Sequence, residues 1–158
     1  MSNKIKLTIK TVLVPDFAPS FDKLADETSV PMKDRYAISR TLASIRQAVS
    51  AYDEQRVKLV KEMGKPELEV LKEQALKAVG SAREAALKTR VEQLEKSGEK
   101  SWTIDPADAE TLAAFRAKID ELQAVEFEVY LDHAVALTDL CKLSAKDMAA
   151  LGELVTVV

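Results

Sequence analysis

The stretch ISRTLASIRQAVSAYDEQRVKLVKEM, residues 38–63, decides the fold of this chain. Its apolar residues recur in alternating steps of four and three, the spacing of a helix that keeps one stripe against a partner helix, as in a coiled coil. These seam positions are Ile38, Leu42, Ile45, Val49, Tyr52, Leu59 and Met63, and only Arg56 interrupts the series. The spacing predicts a long helix over residues 33–63.

A second helical run begins directly after Gly64-Lys65-Pro66. Glycine suits the left-handed residue that ends a helix, and proline suits the first turn of the next one. So short a connection predicts an antiparallel helical hairpin over residues 33–97.

The second arm of this hairpin, residues 67–95, carries an apolar stripe that is rich in alanine. The stripe consists of Leu68, Leu71, Ala75, Ala78, Ala82 and Ala85. Small residues let two helices approach closely, so we expect Ile45 and Val49 to be buried against this stripe. Gly80 lies inside the arm, where it costs about 1 kcal/mol relative to alanine and permits a close helix contact or a bend.

The remaining segments predict a base of short strands and helices. Period-two alternation predicts strands over residues 4–14 and 125–131, with lysines of the first facing glutamates of the second. Short helices are expected over residues 16–27, from Asp105 to Leu122, and after Ser144. The predicted fold is therefore mainly α with some β (α+β): one domain, residues 1–158, with the hairpin at 33–97 and a base formed by 1–32 and 98–158.

Composition and charge exclude several classes of protein. Hydrophobic residues make up 47% and charged residues 31% of the 158, which is typical of a globular domain. The net charge of −3 gives no global attraction to nucleic acid. A local cluster of basic residues (Lys33, Arg35, Arg40 and Arg46) lacks an aromatic platform in the sequence, which argues against nucleic-acid binding. No apolar run approaches the ~20 residues that cross a bilayer, so we expect no membrane association.

No pattern in the sequence predicts a reaction. His133 is the only histidine and Cys141 the only cysteine; they could form a nucleophilic pair, but packing roles are commoner for such residues. One residue of each type cannot close a structural zinc site, and the four glycines are too scattered for a phosphate loop. We expect no enzymatic activity, no catalytic residues, no cofactor and no metal.

Exposed apolar surface is the strongest functional expectation from the residues. The second arm has further large apolar residues beside its alanine stripe, more than one partner helix covers, and the chain ends in apolar residues. We therefore expect a homo-oligomer or a complex with other proteins. The expected interface residues are Leu76, Val79, Leu87, Val91, Leu94, Trp102, Val157 and Val158.

Several segments, in order, resemble an uncharacterised family of small tailed-phage proteins. They are YAISRTL (36–42), YDEQRVKLV (52–60), SWTID (101–105), FRAKIDEL (115–122), VEFEV (125–129) and LSAKDMAAL (143–151). The similarity covers residues 30–154. It implies a phage origin and a non-enzymatic role in the particle or against the host, and the family supplies no catalytic residues.

The expected function is thus a protein-interaction or structural component of a phage particle or its assembly. Its partners would be further copies of itself or phage structural proteins, in the host cytoplasm or the virion. The alternative is a small phage-encoded inhibitor that binds a host defence or regulatory protein.

Overall fold

The computed structural model describes residues 5–158. Within that range the chain is mainly helical, with short strands, as the sequence predicts. The elements are β1 (Leu7–Thr8), α1 (Ile9–Val12), α2 (Phe17–Ala25), α3 (Met32–Met63), β2 (Lys65–Pro66), α4 (Glu67–Lys77), α5 (Glu84–Ser97), β3 (Trp102–Thr103), α6 (Ala109–Gln123), β4 (Glu126–Phe127), β5 (Val135–Leu137), α7 (Ala145–Leu151), a 3-10 helix (Gly152–Leu154) and β6 (Val155–Val157).

Packing divides these elements into two compact units. Unit 1 contains the described residues up to Asp53 together with Glu121–Val158, and unit 2 contains Glu54–Asp120. These boundaries differ from those of the predicted hairpin and base. The expectation of one domain over residues 1–158 stays a prediction.

The long helix α3 is confirmed to within one residue of its predicted start. In unit 1, Ile38 and Ile45 of the seam are buried, and Leu42 and Val49 are partly buried. Fully buried Thr41 lies beside the seam, and its hydroxyl accepts a hydrogen bond of 3.1 Å from the Tyr130 backbone N–H. A buried hydroxyl needs such a partner, because an unpaired polar group costs free energy in the core.

The residues that surround Ile45 and Val49 differ from the expected ones. Both belong to the hydrophobic core of unit 1, whose members lie before residue 50 or after residue 126 and include no residue of the alanine stripe. The core is built on α2, where Phe17, Phe21 and Leu24 recur at helical spacing and are fully buried. The rings of Phe17 and Phe21 stack with centroids 5.9 Å apart.

The N-terminal strand is much shorter than predicted, and Lys4, its first predicted residue, lies outside the described residues. Only Leu7–Thr8 is extended, because the Thr8 hydroxyl accepts a hydrogen bond of 3.3 Å from the Thr11 N–H and so caps helix α1. Its predicted pairing with the acidic segment is confirmed. β1 is antiparallel to β4, with Leu7 opposite Phe127, and Lys6 forms a 3.1 Å ion pair with Glu126.

The C-terminal tail forms a parallel strand pair that the sequence analysis did not predict. β6 lies parallel to β5, with Val135 opposite Val155 and Leu137 opposite Val157. The Val158 N–H extends the ladder by donating to the Leu137 carbonyl at 3.0 Å. One backbone edge of the tail is therefore already occupied by the chain itself.

The second arm of the predicted hairpin is not one helix. It breaks after α4, and α4 and α5 form the most extensive packing between any two described elements. Gly80 in the break has a φ of +81°, a left-handed conformation that disfavours other residues. Its N–H donates a hydrogen bond of 3.0 Å to the Glu84 carboxylate at the start of α5. Gly80 thus reverses the chain where the sequence analysis extended a helix.

Gly64 has a role that differs from the predicted one. The positive-φ residues in the described chain are Gly80, Gly98 and Gly152, so Gly64 does not supply a left-handed helix end. It is needed for space, because β2 and β3 pair directly beside it, with Lys65 opposite Thr103. A Cβ atom at residue 64 would collide with the backbone carbonyl oxygens of Thr103 and Val60.

We expect Gly64→Ala to destabilise the protein by about 1–3 kcal/mol, because the two clashing atoms are backbone oxygens that cannot rotate away. Chemical denaturation of the full chain measures this change. Lys61→Ala, an exposed substitution one turn earlier in α3, is the matched control and should stay within about 0.5 kcal/mol of wild type. An unchanged free energy of unfolding in Gly64→Ala would contradict the close strand contact.

A buried carboxylate joins α7 to α2 in unit 1. Asp147 completes the capping box of α7, where its carboxylate accepts hydrogen bonds from the Ser144 N–H at 3.0 Å and the Ser144 hydroxyl at 2.8 Å. The same carboxylate accepts from the Ser20 hydroxyl at 2.9 Å and from the Lys23 ammonium at 3.1 Å. These donors, the Ser144 backbone N–H foremost, hold the pKa of Asp147 well below its ordinary 3.8.

The lowered pKa of Asp147 predicts acid sensitivity. A carboxylate with a lower pKa in the folded state stabilises the fold above its ordinary pKa of 3.8, and that contribution is lost as the pH falls further. We expect Asp147→Asn to melt at a lower temperature than wild type at pH 7, with a difference that shrinks toward pH 3. Asp22→Asn, an exposed change on α2, is the matched control and should melt close to wild type at pH 7. A constant difference between Asp147→Asn and wild type across this range would contradict the assignment.

Candidate functional site

An apolar groove in unit 2 brings together residues of α4 and α5. It has a volume of about 510 Å³ and is lined by Lys72, Ala75, Leu76, Val79, Glu84, Lys88, Val91 and Glu92. Leu76 is 76% exposed and Val79 is 68% exposed. Leu76 and Val79 therefore make up the most exposed part of the apolar lining of this groove.

The charged side chains of this α4–α5 groove are held in place by ion pairs. Lys88 lies 2.7 Å from Glu84 on α5, and Lys72 of α4 lies 2.9 Å from Glu95 of α5. The Lys88 ammonium and the Gly80 N–H hold the pKa of Glu84 below its ordinary value. The apolar floor of the groove is therefore bordered by charges of both signs.

The structure separates the predicted interface residues of the second arm into three groups. Leu76, Val79 and Val91 meet in the α4–α5 groove. Leu87 is partly buried. Leu94 is only 3% exposed, so its own chain already covers it and it is not available at the surface. The difference arises because the break at Gly80 folds the arm back on itself.

The other predicted interface residues do not form part of that groove. Trp102 lies in β3 opposite Pro66 and is 41% exposed. Val157 and Val158 are 62% and 79% exposed, although the backbone of the tail pairs with β5. Their role at an interface stays a prediction.

Unit 1 presents an exposed cluster of Met32, Tyr36, Arg40 and Tyr130, here called the tyrosine–arginine surface. The sequence analysis places Arg40 in a basic cluster without an aromatic platform; that expectation is wrong, because Tyr36 and Tyr130 lie beside its guanidinium. The Arg40 guanidinium lies 4.0 Å from the centre of the Tyr130 ring and 6.0 Å from that of Tyr36. Met32 and Tyr36 are 75% and 68% exposed. One sequence feature could have indicated this surface: residues 32, 36 and 40 are spaced by four, which places them on one face of the helix, away from the seam.

Polar contacts fix the segments that carry this surface. His133 bridges two carboxylates, with Nε2 3.3 Å from Asp34 of α3 and Nδ1 in a short contact with Asp132. The Arg35 Nε donates to the Val30 carbonyl at 2.9 Å and so anchors the start of α3. Tyr36 and Tyr130 therefore project from segments that are tied to each other.

The two residues considered for nucleophilic chemistry have different surroundings. His133 is exposed and contacts Asp34 and Asp132, whereas Cys141 packs partly buried against the hydrophobic core. Among residues 5–158, no group of three or more His, Cys, Asp or Glu side chains could hold a metal ion. Nor does this part of the chain include a helix with the length and apolarity that crossing a bilayer requires.

Comparison of the chain with protein-family models, with curated proteins and with solved structures finds no match. The resemblance to tailed-phage proteins stays a prediction.

Proposed function

We propose that this protein is a non-enzymatic protein-interaction component. The observation that carries the proposal is the tyrosine–arginine surface of unit 1. Tyrosine, arginine and methionine are the residue types that protein interfaces favour, and tyrosine and arginine dominate the positions where truncation weakens binding most.

The stacking of the Arg40 guanidinium on the Tyr130 ring favours such a contact. A guanidinium over an aromatic face keeps its N–H groups free around the edge, where they can pair with a carboxylate in a bidentate way. Because Tyr130 holds the group at 4.0 Å, less side-chain freedom is lost when a partner binds. Met32 and Tyr36 add apolar area beside this charge.

The resemblance of residues 30–154 to tailed-phage proteins supports a partner within a phage particle or its assembly pathway. Under this proposal the protein is present in purified particles at a fixed ratio to their other proteins. The tyrosine–arginine surface then makes the contact that keeps the protein in the particle.

Arg40→Ala and Tyr36→Ala are expected to lower incorporation into particles about tenfold or more, since each removes a side chain of the type that dominates interfaces. Quantitative mass spectrometry of purified particles measures the ratio. Arg46→Ala, a second exposed arginine on α3, is the matched control and should leave it unchanged. Absence of the wild-type protein from particles, or equal incorporation of all three variants, would contradict the proposal.

A further inference from the structure

Unit 2 has little apolar core of its own, although it spans Glu54–Asp120. Of the twenty apolar side chains that are buried in the described residues, only Val70, Leu94 and Ile104 lie in this unit. The hydrophobic core cluster found among residues 5–158 includes none of the three. Burial of apolar side chains is the main term that offsets the conformational entropy lost on folding, so most of this stabilisation lies in unit 1.

The helices of unit 2 bury little of their surface. α4 and α5 have one buried residue each, Val70 and Leu94. None of the residues of α6, all of which the structure describes, is buried. Helices of this length are marginal in water unless an apolar face packs against other elements. The order of α4 and α5 therefore rests on a small number of buried side chains.

The ion pairs that join α4 to α5 do not replace this core. Lys72 lies 2.9 Å from Glu95, and the Arg90 Nε lies 3.4 Å from Glu67. Both pairs are open to solvent, where water screens the attraction and an ion pair adds little to stability. In unit 1, by contrast, the Asp147 carboxylate is buried among its hydrogen-bond donors.

We infer that unit 2 opens as a separate cooperative unit while the core of unit 1 stays folded. In the open state α4 and α5 come apart, and Val70, Leu94 and Ile104 reach water. Proteins open in such sub-global steps where one part of the fold has few buried apolar contacts. The tyrosine–arginine surface belongs to unit 1 and remains formed in the open state, so this inference goes beyond the proposed function.

Amide hydrogen exchange of the full chain, followed by mass spectrometry of peptic peptides, tests the inference. Exchange is measured where its rate follows the opening equilibrium, at urea concentrations below the global unfolding transition. Relative to their unprotected rates, peptides from α4 and α5 are expected to exchange about tenfold or more faster than peptides from α2. Their opening should also depend less steeply on urea, because less surface is exposed. Equal protection and equal urea dependence of the two sets would overturn the inference.

The same substitution in each unit distinguishes separate opening from global unfolding. Ile38→Val shortens a fully buried side chain of unit 1, and Ile104→Val shortens a buried one of unit 2. Because unit 1 stays folded when unit 2 opens alone, Ile38→Val should speed exchange in α2 about two- to tenfold and leave exchange in α4 and α5 unchanged. Ile104→Val should speed exchange in α4 and α5 by a similar factor.

Two results of the variants would also overturn the inference. One is an Ile38→Val variant in which α4 and α5 exchange faster by the same factor as α2, which is the behaviour of a single cooperative unit. The other is an Ile104→Val variant in which α4 and α5 exchange at the wild-type rate. None of these measurements depends on incorporation into particles, so the inference and the proposed function can fail separately.

Discussion

The left-handed backbone of Gly80 is the constraint on which unit 2 depends. A continuous helix through residue 80 would keep Leu76 and Val91 several turns apart along one rod. With a φ of +81° the chain reverses instead, and α4 and α5 pack against each other. That reversal buries Leu94, exposes Leu76 and gathers both signs of charge around one groove. The packing of α4 against α5 and the groove between them therefore depend on this one residue.

Helical periodicity and strand alternation predicted those parts of the fold that local pattern determines. The seam from Ile38 to Met63 predicted the long helix, and the alternation around Phe127 predicted the pairing with the N-terminus. The strand predicted over residues 125–131 is shorter, since only Glu126–Phe127 is a strand, and Val125 of its predicted inward face is exposed. The capping box at Ser144 is local chemistry as well, because its donors and acceptors lie within four residues. The parallel pairing of β5 with β6 depends on residues about twenty positions apart, and nothing in either short strand specifies it.

The expectations that the structure overturns have one cause. Periodicity in the sequence shows which residues share one face of a helix, but it does not show which segment packs against that face. The seam residues Ile45 and Val49 were expected to be buried; Ile45 is buried and Val49 partly buried, and their neighbours come from unit 1. Alanines spaced for a helix continue through Gly80, where the sequence left open a close helix contact or a bend, and the positive φ shows that the chain turns there. The tyrosine–arginine surface was missed because Tyr130 reaches Arg40 from a distant segment, a juxtaposition that only tertiary structure creates.

The two units differ in how their stability relates to binding. Unit 1 holds most of the buried apolar side chains and encloses the carboxylate of Asp147 among its own donors. Unit 2 leaves Leu76 and Val79 in water. A molecule that binds only the folded form of unit 2 therefore adds its binding free energy to the stability of α4 and α5, by mass action. Any binding through the groove and order in this unit would thus be thermodynamically coupled.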